Sequence, residues 1–326
     1  MDTTTTPADD RHLPVLLRTC VDLLTPALSH DGSVYVDGTL GMAGHALAVL
    51  DAAPRARLVG IDRDAQALEL ARERLTRAGH GDRITLVHAT YDEIPEVLAD
   101  LGIAAADGVM MDLGLSSFQI DTRERGFSYA QDAPLDMRMD TDSDGPTAAD
   151  LLRELPGEEI ARILRDYGDE RFARRIAQRI VAQREQEPLT RSGELVALLE
   201  SAIPAATRAG GGHPAKRTFQ ALRIAVNEEL EILTRALEGA LTSLAVGGRL
   251  VVESYHSGED RLVKTALTRA TRSTAPPGLP VELEEHRPRF ENLVRGALRA
   301  DDEEIARNAR SASVRLRAVV RTRPDI

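Results

Sequence analysis

The feature that most restricts the fold is a series of short apolar runs in the first third of the chain, several of which end abruptly in an acid. Val34-Tyr35-Val36 stops at Asp37-Gly38, Leu58-Val59-Gly60-Ile61 at Asp62, and Val109-Met110-Met111 at Asp112, with Ile84-Thr85-Leu86-Val87 lying between the last two. Ala65 to Ala78 places Leu68, Ala71, Leu75 and Ala78 on one helical face. Strands that alternate with helices at this spacing predict a parallel sheet with crossover helices. Arg249 to Ser254 resumes the strand pattern after Gly247-Gly248. The fold class read from this is α/β, a Rossmann-like doubly wound sheet.

Between Asp112 and Gly247 the strand rhythm stops. Leu113 to Gly145 reads as a long structured loop, a length that is usually functional when it occurs inside a compact domain. Helices follow: one with Phe172, Ile176 and Ile180 four apart, one over Glu194 to Ala202, and a single long amphipathic helix over Phe219 to Leu241. The expected organisation is a frayed tail at 1–11, a sheet domain at 12–130, an inserted helical domain at 131–213 ending in a Gly-rich linker over 205–214, and a return to the sheet domain at 214–326.

Composition excludes several classes. No apolar run approaches the roughly 18 residues of a membrane span, so no membrane partner is expected. The N-terminal stretch has no apolar segment of secretory type. One cysteine, Cys20, rules out a disulfide framework and a Cys-based zinc site, and fits a cytoplasmic protein. There is no HExxH, no GxSxG and no metal cluster, so no metal is expected. The formal charge of -11 argues against general nucleic-acid binding. It is unevenly spread, however. Ile305 to Arg323 holds six arginines and no acid, and Arg162 to Arg191 holds eight arginines against five acids.

Three strings carry chemistry. Asp37-Gly38-Thr39-Leu40-Gly41-Met42-Ala43-Gly44-His45 follows a strand and opens a helix, where backbone N–H groups can meet a ligand. It lacks dinucleotide spacing, but Asp62 at the next strand end is placed to accept two ribose hydroxyls, which favours S-adenosylmethionine over NAD. Asp112-Leu113-Gly114-Leu115-Ser116-Ser117-Phe118-Gln119 leaves the fourth strand where ligands bind in open sheets. Glu253 to Arg261 contains His256, which is equally consistent with a site residue or a helix start. These residues alone leave an S-adenosylmethionine-dependent methyltransferase acting on another RNA or on a small molecule open as the alternative.

The strings together resemble the ribosomal RNA small subunit methyltransferase H family. They include His12-Leu13-Pro14-Val15-Leu16-Leu17, Asp132 to Met139, His213-Pro214-Ala215-Lys216-Arg217-Thr218-Phe219-Gln220-Ala221-Leu222-Arg223 and Tyr255 to Lys264. The resemblance implies a class I S-adenosylmethionine-dependent methyltransferase with a helical insertion. It implies methylation of the exocyclic N4 of a decoding-centre cytidine in 16S rRNA, in the small ribosomal subunit or its assembly intermediate, by a chain that can form a homodimer. Carried over, the cofactor-binding positions are Ala43, Gly44, His45, Asp62, Tyr91, Asp112 and Gln119. Asp112 and His256 are alternative proton acceptors. Arg138, Arg217, Arg310, Arg315 and Arg317 are expected on RNA, with Phe118, Phe127 or Tyr129 available to stack on the extruded base. Ala43 stands where the family is expected to carry glycine, a departure that is expected to be tolerated if its φ is negative. Gly258 is expected to loosen the helix start beside His256.

Overall fold

The computed structural model describes residues 14–204, 213–276 and 282–324. The expected tail at 1–11 and most of the expected linker at 205–214 lie outside the described residues. The chain divides into two compact units, one formed by residues up to Gly114 together with Ile232 onward, the other by Leu115–Glu231. The helical segment read at 131–213 falls within the second unit, which also takes in the Ser116 loop and the helix that follows His213.

The first unit is built on a seven-stranded sheet: β1 (Val34–Asp37), β2 (Arg57–Asp62), β3 (Ile84–His88), β4 (Ala106–Asp112), β5 (Leu244–Ser254), β6 (Phe290–Asn292) and β7 (Arg315–Arg321). Their order is β3-β2-β1-β4-β5-β7-β6. β1 to β5 are parallel, while β7 runs antiparallel to both β5 and β6. This is the class I methyltransferase sheet. The order reverses at β1, so the crevice beyond the carboxyl ends of β1, β2 and β4 is a topological switch point.

Both faces of the sheet are covered, which is why its central strands read as nearly continuous apolar runs. Tyr35, Leu58, Met110, Val251 and Leu316 face α1 (Leu17–Leu24), α2 (Gly44–Ala52) and α3 (Ala65–Arg77). Val36, Val59, Val109, Val252 and Val319 face α4 (Ile94–Asp100), α11 (Glu229–Ser243) and α12 (Ser257–Ala270). α3 begins where the sequence predicts, because the Asp64 side chain accepts from Gln66 and Ala67 N–H and satisfies two otherwise orphaned donors. α13 (Asp302–Arg307) precedes β7.

The second unit contains α5 (Ser117–Asp121), α6 (Ala148–Glu154), α7 (Gly157–Gly168), α8 (Ala173–Arg184), α9 (Ser192–Ala202) and α10 (Ala215–Asn227), packed around Leu152, Ile160, Leu164, Ile176, Ile180, Leu195 and Leu222. One expectation is corrected here. The helix read as continuous over Phe219 to Leu241 breaks at Glu228, whose φ of 50° is left-handed and ends α10. The break is held by Asn227, which donates to Met137 O at 2.7 Å and accepts from Met139 N at 2.8 Å. Among the described residues no helix is long and apolar enough to cross a membrane.

Candidate active site

The loop after β1 is pinned to its neighbours before it turns into α2. Gly38 N donates to Met110 O, Leu40 N to Ile61 O and Ala43 N to Leu40 O. Asp112 N donates to Thr39 Oγ1 at 2.6 Å, tying the loop to the end of β4. Two positions show why side chains are restricted. A Cβ on Gly38 would lie 3.1 Å from Tyr91 Cβ, so the bare glycine brings Tyr91 against the loop. A Cβ on Gly44 would lie 2.5 Å from Pro14 Cγ.

Ala43 corrects a second expectation. Its φ is +60°, not negative, and it is fully buried as the residue before α2. A left-handed alanine costs about 1–2 kcal/mol, which the packed loop sustains. The turn needs this conformation to bring Gly44 and His45 into the first turn of α2.

Asp62 ends β2. Its Oδ2 accepts from Gly41 N at 2.7 Å and its Oδ1 from Asp64 N at 2.9 Å. Burial pushes its carboxyl up to about 6, against the opposing pull of those two N–H groups. Each oxygen keeps a free lone pair, as a carboxylate that must take two vicinal hydroxyls requires. Tyr91 stands in a turn over Tyr91–Glu93, where Thr90 and Glu93 form a capping box.

Asp112 ends β4 with its side chain 30% exposed, the one open carboxylate in an otherwise closed polar group. Tyr255 Oη donates to its Oδ1 at 2.7 Å, and His45 Nδ1 lies 3.7 Å from its Oδ2. Behind it Glu253 is fully buried and in register with Asp112 across β4 and β5. Burial, then the adjacent Asp112, push the Glu253 carboxyl well above the usual carboxylate range. The Cys20 thiol donates to Glu253 Oε1 at 3.5 Å and is itself pushed up by burial. Asp37, at the end of β1, is raised to about 6 by burial and receives Tyr35 Oη and Thr39 N.

Cys20, His45 and Glu253 bring a thiol, an imidazole and a carboxyl within 4.8 Å of one another, which are ligand types found around zinc. His45 Nε2 is spent on Val15 O at 2.9 Å, however, and the thiol on Glu253. The group reads as a hydrogen-bonded support for Asp112.

The structure thus brings Ala43, Gly44, His45, Asp62, Tyr91 and Asp112 to one end of the sheet. Gln119 belongs to the second unit, where it forms a capping box with Ser116. His256 is the N-cap of α12: its Nδ1 accepts from Gly258 N at 3.2 Å, and its Nε2 faces Glu259 Oε1 at 3.2 Å. Gly258 supplies the backbone N–H that this cap receives.

The expected RNA-contacting arginines are differently placed. Arg315 and Arg317 both bind Asp260, at 2.7 and 2.9 Å, and Arg317 is only 14% exposed. Arg138 is chelated by Asp136 and donates to Ser143 O. Arg217 is exposed and donates to Asp169 O, and Arg310 is exposed on the turn after α13. Sequence reasoning missed Tyr255 and Glu253 as partners of Asp112. The only signal was their position at the end of the strand that neighbours β4.

A family model described as the MraW methylase family matches residues 9–322. The chain is 61% identical over 314 residues to the ribosomal RNA small subunit methyltransferase H of Leifsonia xyli subsp. xyli, covering 96% of this chain and 95% of that one. It is 59% identical to the protein of that name in Nocardioides sp., covering 95% and 97%, and 60% identical to the one in Beutenbergia cavernae, covering 96% and 93%.

Proposed function

The chain belongs to the MraW methylase family, and from that premise we propose that it methylates the exocyclic N4 of a decoding-centre cytidine in 16S rRNA, with S-adenosyl-L-methionine as methyl donor. The observation that carries the reading is the pairing of two acids at neighbouring strand ends. Asp62 offers a bidentate acceptor anchored by backbone N–H groups, and Asp112 offers a partly exposed carboxylate held by Tyr255.

The residues present fit this cofactor. Asp62 is suited to its ribose hydroxyls, Tyr91 to the face of its adenine, and the N–H groups of Gly44 and His45 in the first turn of α2 together with Asp112 to its methionine part. When bound, S-adenosyl-L-methionine supplies an electrophilic methyl group on a sulfonium, so that no metal is required. The protein must then hold N4 in line and take up a proton, because N4 is conjugated with its ring and is weakly nucleophilic. Positioning accounts for much of the rate in reactions of this type. Asp112 accepts an N4–H hydrogen bond and the proton that leaves with it. Tyr255 fixes the carboxylate's orientation by donating to one oxygen, leaving the other for the amine. His256, occupied by its cap and by Glu259, serves the start of α12 and not the proton transfer.

The target base has to leave its stack to reach a strand-end crevice, at a cost of a few kcal/mol. In the second unit Tyr129 stacks on His213 with ring centroids 4.6 Å apart, while Phe127 is buried. Phe118, in α5, is half-buried.

Incubation with methyl-labelled cofactor and unmodified small ribosomal subunits tests the reading. Label should enter 16S rRNA. Label that enters only a small-molecule fraction would replace this reading with that of a small-molecule methyltransferase.

A further inference from the structure

We propose that the exposed face of α8 is the surface on which the 16S rRNA phosphate backbone docks, with Arg171, Arg174, Arg175 and Arg179 as its contacts. The inference rests on the rRNA reading above and assigns it a binding surface.

The arginines of the second unit divide by whether they have partners. Most arginines there are committed. Arg162 pairs with Glu159, Arg165 with Asp166, Arg153 with Asp150, and Arg191 with Asp132. Arg184 closes the carbonyls of Leu152 and Leu155. By contrast, Arg171, Arg174, Arg175 and Arg179 are all exposed and make no ion pair or hydrogen bond among the described residues. The opposite side of the helix, Ala173, Ile176, Ala177 and Ile180, is buried in the unit's core, so this face is fixed toward solvent.

The placement is also electrostatically unfavourable for the protein alone. α6, α7, α9, α12 and α13 each carry an acid in the first turn, which suits the positive end of a helix dipole. α8 carries none and has Arg174 and Arg175 there instead. Four like charges left unneutralised in a chain of net charge -11 are a local cation cluster that folding does not use. Arg175 and Arg179 are one helical turn apart, about 6 Å along the axis, with Arg171 continuing the row before the helix begins. A row of guanidinium groups is suited to successive phosphates, each taken by a forked pair of donors. The C-terminal arginines expected in this role are less available, because Arg315 and Arg317 are held by Asp260.

The test is the salt dependence of 16S rRNA binding by the full chain carrying Arg171→Gln, Arg175→Gln and Arg179→Gln together. The slope of log K against log salt should become shallower by about 2–3, from about 0.7–0.9 per lost phosphate contact. Calorimetry with S-adenosyl-L-methionine should give unchanged affinity, and circular dichroism should show the same fold. An Arg162→Gln, Arg165→Gln variant, which removes arginines already paired, should keep the wild-type slope. An unchanged slope in the triple variant, with a wild type that labels 16S rRNA, overturns the assignment to α8 and leaves the activity standing. Binding lost on small-subunit particles but kept on naked rRNA also overturns it, because the contact would then be to a ribosomal protein. A wild type that labels no rRNA overturns the activity, and this inference with it.

Discussion

Asp62→Asn separates two roles that one carboxylate performs. In the free protein Asp62 receives Gly41 N and Asp64 N, one on each oxygen, and burial raises it from the ordinary 3.8 to about 6. The folded chain therefore binds this proton more tightly than the unfolded chain. As pH rises from about 4 to about 6 the group withdraws on the order of 3 kcal/mol of stability, at about 1.4 kcal/mol per pH unit. Asparagine removes that cost but also turns one acceptor into a donor facing a backbone N–H, a loss of about 1.5–3 kcal/mol. The two terms oppose each other, so the melting temperature of the free protein at pH 7 should move little.

Cofactor affinity has no such compensation. Losing a charge-assisted contact to the ribose should weaken binding by about 2–3 kcal/mol, or roughly 30- to 150-fold. The pH arm is independent. Only the ionised form accepts both hydroxyls, so wild-type affinity should fall about tenfold from pH 7 to pH 5, whereas the asparagine variant should be flat. Titration calorimetry over that range measures both. A flat wild-type profile, or an asparagine variant within threefold of wild type, would refute the assignment of Asp62 to the ribose.

Two further outcomes follow from packing and charge. A Cβ at Gly168 would lie 2.5 Å from Arg217 O, where α7 and α10 approach closely, so Gly168→Ala should cost about 1–3 kcal/mol and lower the melting temperature by several degrees in calorimetry. Asp260 is held below the usual carboxylate range by Arg317 and Arg315, against the opposing effect of burial. Its stabilising contribution is complete above about pH 4 and is lost as pH falls through its depressed value, and Asp260→Asn should remove it at pH 7. Urea midpoints of wild type and variant should therefore converge on acidification below pH 4. A constant gap down to pH 2 would contradict the ion-pair account.

The sheet was legible because buried parallel strands must be apolar and must stop where the crevice begins, and Asp37, Asp62 and Asp112 mark those stops. What sequence spacing could not show was which side chains meet. Tyr255 reaches Asp112 across 143 residues, and Asp260 captures two arginines more than 50 residues away. The break at Glu228 carries no glycine or proline, and the apolar stripe continues at helical spacing on both sides. Only the tertiary tether of Asn227 reveals it. Ala43 misled for a related reason: alanine rarely takes a left-handed conformation, and here the buried turn imposes one.

The central claim is the identity of the methylated atom. Unmodified small subunits treated with the enzyme and methyl-labelled cofactor should yield, after digestion of their 16S rRNA to nucleosides and mass analysis, N4-methylcytidine as the labelled product, at a single decoding-centre position. Label recovered as 5-methylcytidine, as a methylated purine or as a ribose-methylated nucleoside would contradict it, because none of those products carries the methyl group on cytosine N4.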